Sequence, residues 1–69
     1  MIVRCEMPAT VWKVRVAVGE RVSPGDELVV LESMKMEIPA TAPVAGAVKA
    51  VHVEEGQLVS EGDPLVELE

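Results

Sequence analysis

Midway along the chain, the hexapeptide Glu32-Ser33-Met34-Lys35-Met36-Glu37 sets a lysine between two methionines and closes both ends with carboxylates. The strand-like segments on either side require the chain to reverse here. Yet the Asn-Gly or Asp-Gly pairs that normally form a tight hairpin tip are missing. Methionine is a flexible, polarizable apolar contact, and two of them at an exposed tip are out of place on a surface tuned only for solubility. Of the three lysines, Lys13 and Lys49 fall inside alternating strand patterns. Lys35 alone stands at an apex where another enzyme can reach its amine. Schiff-base chemistry needs a desolvated lysine, and an exposed apex between Glu32 and Glu37 is the opposite environment. Acylation of Lys35 by a second protein fits better. The plain alternative is an exposed lysine that keeps a hairpin soluble.

No other constellation forms a self-contained active site. Cys5 and His52 are the only nucleophile–base pair on offer. Cys5 reads more simply as a small hydrophobe of a strand, and His52 as a solvent-facing residue in the middle of one, between Val51 and Val53. Ser23, Ser33 and Ser60 lack a base. The carboxylates are scattered singly beside turns, as a solvated surface rather than a general acid–base pair. Gly19, Gly25, Gly56 and Gly62 recur as turn residues and do not build a phosphate-cradling loop ahead of a helix. One cysteine and one histidine exclude both an internal disulfide and a metal-ligand cluster.

Composition narrows the classes further. A chain of 69 residues holds one small domain, residues 1–69. A formal charge of −6 argues against nucleic acid and anionic membranes as partners. The longest aliphatic run, Leu28-Val29-Val30-Leu31, is too short to cross a bilayer. Met1-Ile2-Val3-Arg4 lacks the build of a secretion signal, and a lone thiol suits a reducing compartment, so the cytoplasm is the expected location. With Trp12 the sole aromatic, a deep aromatic pocket is not expected.

The elements that must position Lys35 are strands. Hydrophobic residues make up 49% of the chain, valine foremost, and β-branched side chains suit a pleated surface. Residues 2–5 read as a first strand ended by Pro8, and Thr10–Val16 alternates as a half-buried one. Turns follow at Val18–Val22 and Ser23-Pro24-Gly25-Asp26. Glu27–Ser33 is a strong central strand and Met36–Thr41 returns from it. Sliding the sequence over itself by 37 positions sets Gly19 on Gly56, Gly25 on Gly62 and Asp26 on Asp63, with Val11, Val14, Val22, Leu28 and Leu31 also on their own kind. This is a duplicated unit, residues 9–32 and 46–69. Two such units packed about an approximate two-fold axis predict an all-β sandwich, with the lysine tip and Glu69 projecting from opposite ends.

At these residues the chain resembles the biotinyl/lipoyl attachment domain family. The likeness rests on Glu32-Ser33-Met34-Lys35-Met36-Glu37, Pro43-Val44-Ala45-Gly46 and the turns at Gly56 and Gly62-Asp63, and covers residues 7–69. Met-Lys-Met is the biotin form of the motif; lipoyl domains usually carry an acidic residue before the lysine and a small one after it. The resemblance implies a flattened barrel-sandwich hybrid of two four-stranded sheets, with the modified lysine on an exposed β-hairpin. It implies biotin joined to Lys35 through an amide by a biotin protein ligase, with Met34 and Met36 shaping recognition and Glu32, Ser33 and Glu37 forming the hairpin around them. It further implies a non-catalytic swinging-arm carrier. Such a carrier takes carboxyl groups from a biotin carboxylase, which uses ATP and bicarbonate, to a carboxyltransferase, and a monomer suits that task. A lipoyl carrier of acyl or aminomethyl groups and an unmodified interaction module are the alternatives. Two departures stand out. Ala9 replaces the family's usual glycine ahead of the first-unit strand, which is expected to reshape that turn. The Val18–Val22 segment also lacks the protruding loop of some acetyl-CoA carboxylase carriers.

Overall fold

The computed structural model describes all 69 residues, Met1–Glu69. Eight strands follow one another: β1 (Ile2–Arg4), β2 (Ala9–Val14), β3 (Arg21–Val22), β4 (Glu27–Ser33), β5 (Met36–Thr41), β6 (Gly46–Val51), β7 (Leu58–Val59) and β8 (Pro64–Leu68). They form two four-stranded sheets with the orders β1-β8-β6-β3 and β5-β4-β2-β7. The second carries the β4–β5 hairpin and is called the hairpin sheet below; the first is called the terminal sheet.

The duplication seen in the sequence is the symmetry of the fold. β2 and β6 start 46 − 9 = 37 residues apart, as do β3 and β7 (58 − 21) and β4 and β8 (64 − 27). Substituting each strand by its counterpart turns one sheet order into the other, with β1 standing for β5. Hydrogen bonds repeat in the same way. Gly25 N donates to Ala42 O at 2.8 Å, and Gly62 N to Cys5 O at 2.7 Å. Asp26 Oδ2 accepts from Ser23 N and Asp63 Oδ2 from Ser60 N, both at 2.8 Å. These aspartates fasten turns, so carboxylates that read as a solvated surface include two with a definite structural task.

The core obeys the same rule. Its 14 residues are seven pairs at that spacing: Cys5/Ala42, Val11/Val48, Val16/Val53, Val22/Val59, Leu28/Leu65, Val29/Val66 and Leu31/Leu68. No polar or charged side chain is buried. Leu28 and Leu65 are fully enclosed, and truncating either to alanine is expected to cost about 2–5 kcal/mol.

Three sequence expectations are corrected. β1 ends at Arg4, leaving Cys5 buried just beyond it. β2 ends at Val14 rather than Val16, and β6 at Val51, so His52 lies one residue past its strand and not in its middle. The cause is a bulge in each strand, between Val11 and Lys13 and between Val48 and Ala50. A bulge adds twist and bends the strand out of its ladder. One bond continues the pairing past each strand end, Arg15 N to Leu28 O and His52 N to Leu65 O, both at 2.9 Å. Ala9 faces Val59 in the register that Gly46 keeps with Val22. What differs is crowding. A Cβ on Gly46 would meet the Glu69 carbonyl oxygen at 2.6 Å, whereas the Ala9 methyl packs against the core.

The body measures 30 × 18 × 17 Å. β4 and β5 pair from Glu27↔Thr41 to Ser33↔Met36. Glu69 lies against Gly46, a few residues beyond the Thr41 end of that ladder. The hairpin tip and Glu69 are therefore at opposite ends, separated by roughly the 20 Å that seven strand residues span.

Candidate functional site

The last β4–β5 pair is Ser33↔Met36, which leaves Met34 and Lys35 as a two-residue loop. Both have positive φ, 54° and 64°. That combination marks the hairpin turn whose twist matches its strands, a turn normally built from Asn and Gly. For L-residues with a Cβ the left-handed region costs roughly 1–2 kcal/mol each. Every other positive φ in the chain belongs to a glycine. The chain accepts strain at one place only, and that place carries the lysine.

The strain orients the tip. Met34 is 90% exposed and Met36 64%, so neither contributes to the core. Lys35 is exposed, and it belongs to neither of the two ion pairs in the molecule, Lys49–Glu67 at 3.8 Å and His52–Glu67 at 3.6 Å. Glu32 and Glu37 face each other directly across β4 and β5. Like charges in that arrangement destabilise a strand pair. Ser33, half-buried, closes the ladder beneath the turn. All six residues singled out in the sequence thus belong to one hairpin, arranged as a free amine between two solvated thioethers above two opposed carboxylates. An amine so placed can be acylated by an enzyme that approaches from outside. The only groove, about 190 Å³, runs along the seam between β1 and β5 past Val3, Cys5, Met7, Ile38 and Ala40, and excludes the tip.

The other sequence candidates do not come together. Cys5 is buried and its Sγ donates to Met7 O at 2.7 Å. His52 is exposed on the far side of β8, the strand that separates β1 from β6. No three His, Cys, Asp or Glu side chains are grouped to hold a metal, and no helix is long and apolar enough to cross a membrane. Sequence reasoning missed Leu58. It is 79% exposed and lies in the cross-strand row Leu58–Thr10–Glu32–Glu37 that leads to the hairpin.

An all-β sandwich of two four-stranded sheets with a single exposed lysine at a hairpin tip defines a class of attachment domains. The biotin/lipoyl family, described as "Biotin-requiring enzyme", matches residues 2–68, and the chain belongs to it. It is 48% identical over 68 residues to the biotin/lipoyl attachment protein of Bacillus subtilis (strain 168), covering 99% of this chain and 93% of that protein. It is 50% identical over 60 residues to the biotin carboxyl carrier protein of Streptococcus mutans, covering 87% of this chain and 46% of that one. Among solved structures, a single-chain, multi-domain long-chain acyl-CoA carboxylase superposes with a TM-score of 0.90 at 39% identity, over 96% of this chain and 6% of that one.

Proposed function

We propose that this chain is a biotin carboxyl carrier and that Lys35 is the residue that bears the biotin. The observation that carries the proposal is the tip itself: an unpaired, exposed amine on the only strained turn, at the end of the body farthest from Glu69. The amide forms between Lys35 Nζ and the carboxyl carbon of biotin with net loss of the elements of water, catalysed by a biotin protein ligase that couples the condensation to ATP cleavage. It removes one positive charge and makes the chain one unit more negative than its formal −6. Met34 and Met36 give the ligase apolar contacts on both sides of the amine. The short, stiff turn holds the root of the arm clear of the sheets while the rest swings. Biotin, once attached, supplies the atom that holds a carboxyl group in transit between a biotin carboxylase and a carboxyltransferase. The protein's part is placement, without catalysis of its own. Its single unpaired thiol supports a reducing compartment, and the cytoplasm is the location we propose, with the carrier acting as a monomer.

The test is the mass of the chain from its native cell and after co-expression with both biotin and lipoate ligases, with the modified peptide located. A biotin increment confined to the Lys35 peptide, lost in Lys35→Ala, is the expected result. A lipoyl increment, or biotin persisting in Lys35→Ala, would overturn it.

A further inference from the structure

The internal repeat supplies a control within the molecule. Positions on β2, β4 and β7 of the hairpin sheet have counterparts, 37 residues away in the sequence, on β6, β8 and β3 of the terminal sheet. Trp12 fills the bulge skipped between Val11 and Lys13; Lys49 fills the bulge between Val48 and Ala50. Val30 stands opposite Lys13, and Glu67 opposite Ala50. Leu58 stands opposite Thr10, and Arg21 opposite Ala47. In these three comparisons the hairpin sheet has the apolar residue and the terminal sheet the charged one; Lys13 against Ala50 runs the other way, and Pro39 against Ile2 is apolar on both sheets. The fold demonstrably accepts a charge at each position, so strand geometry does not dictate Trp12, Val30 or Leu58.

Nor does the core dictate Trp12 or Leu58. Both lie outside it, whereas Val30, 5% exposed, is buried beneath the face and is not part of its surface. Leu58 and Trp12 are 79% and 41% exposed, and Pro39, also exposed, continues the row Lys13–Val30–Pro39 to the sheet edge. An apolar surface with no structural reason marks a contact for another molecule. Its charges are ordered too. Lys13 Nζ lies over the Trp12 ring, 5.5 Å from its centroid, and one carboxylate oxygen of Glu55 accepts from Val14 N. Glu32 and Glu37 are left at the margin nearest the tip, opposed like charges that a partner's cation would relieve.

We infer that the outer face of the hairpin sheet, centred on Leu58, Trp12 and Pro39 with Glu32 and Glu37 at its margin, docks the biotin carboxylase that loads the arm on Lys35. This rests on Lys35 being the biotinylated residue. The complementary partner surface has an apolar centre and a cationic border. An enzyme that holds ATP and bicarbonate, both anions, concentrates positive charge around its site. The ligase works on Nζ itself at the hairpin's end, whereas an enzyme reached by the far end of the arm also meets the carrier's side. A small apolar face with a charged margin suits a contact made and released in every cycle, fast to form and salt-sensitive.

The experiment uses the biotinylated carrier and a biotin carboxylase from the cell that makes it. ATP- and bicarbonate-dependent phosphate release is followed as carrier concentration is varied. Leu58→Arg and Trp12→Lys install the residues that the repeat itself uses at the matching positions, which protects the fold. Each is expected to raise KM for the carrier about ten-fold with kcat within about two-fold of wild type, and without changing carboxylation of free biotin. Arg21→Leu, the mirror change on the other sheet, should leave KM alone. Added salt should raise the wild-type KM, less so after Glu32→Gln and Glu37→Gln. Unchanged KM in both Leu58→Arg and Trp12→Lys would overturn the inference. So would an effect confined to ligation, which assigns the face to the ligase, or loss of self-association in sedimentation, which assigns it to a second copy. A wild-type chain that takes up no biotin sinks the carrier reading instead, and mass reveals that before any kinetics.

Discussion

The chain takes positive φ at five turns, and it does so in two ways. At Gly19, Gly25, Gly56 and Gly62 the φ values lie between 88° and 92°, and a Cβ on any of the four would meet nothing within 4 Å. Glycine is there for conformation, not for space. At the hairpin tip the left-handed backbone is occupied by Met34 and Lys35 instead. Where only a reversal is required, the chain uses the unstrained residue. Where the reversal must also present side chains, it keeps them and tolerates the strain.

That contrast can be broken most decisively by Lys35→Arg. The variant keeps a long cation in the same turn but removes the acylable amine, so biotin incorporation measured by streptavidin shift should be lost completely while the melting temperature holds. Next in size is Gly46→Ala. Its methyl would press on the Glu69 backbone oxygen, and a loss of about 2 kcal/mol in urea unfolding is expected, against well under 1 kcal/mol for Ala9→Gly. Gly25→Ala and Gly62→Ala should each cost about 1–2 kcal/mol through backbone strain alone and by similar amounts, because their surroundings are equivalent. Unequal losses would mean that the two halves are not energetically alike. In the opposite direction, the double change Met34→Asn with Lys35→Gly writes the favoured turn into the tip. It should stabilise the domain by about 1 kcal/mol, raising the melting temperature by several degrees, while abolishing modification. No gain in stability would show that the tip is not strained. The smallest effect belongs to acylation itself. Removing the Lys35 charge above Glu32 and Glu37 should lower the melting temperature by about a degree or less, a shift that vanishes in high salt.

Much of this architecture was legible because glycine and aliphatic positions repeat together. The offset that joins Gly19 to Gly56 and Leu28 to Leu65 locates β2/β6, β3/β7 and β4/β8. The β1/β5 equivalence was not legible. Ile2-Val3-Arg4 and Pro39-Ala40-Thr41 share no residue, and the likeness resides in backbone bonds such as Cys5 N to Asp63 O at 2.9 Å and Ala42 N to Asp26 O at 2.8 Å. The bulges at Trp12 and Lys49 were equally silent, since neither carries the glycine that sometimes betrays one. The hairpin stood out for a different reason: its residues break a local rule at an exposed place. The apolar outer face needed both kinds of information. Arg21 aligns with Leu58 in the sequence, but only the sheet assignment shows that the leucine lies on the lysine's side.

The opposite placement of Lys35 and Glu69 has a consequence for how such a unit travels. Met1 donates its amine to Leu68 O at 2.8 Å, so both ends of the chain meet at the pole away from the tip. A polypeptide spliced onto either end would leave the lysine and the hairpin-sheet face unobstructed. The domain is in this sense a plug with its wiring at the back. A matching domain makes up 93% of one relative and 6% of a multi-domain carboxylase.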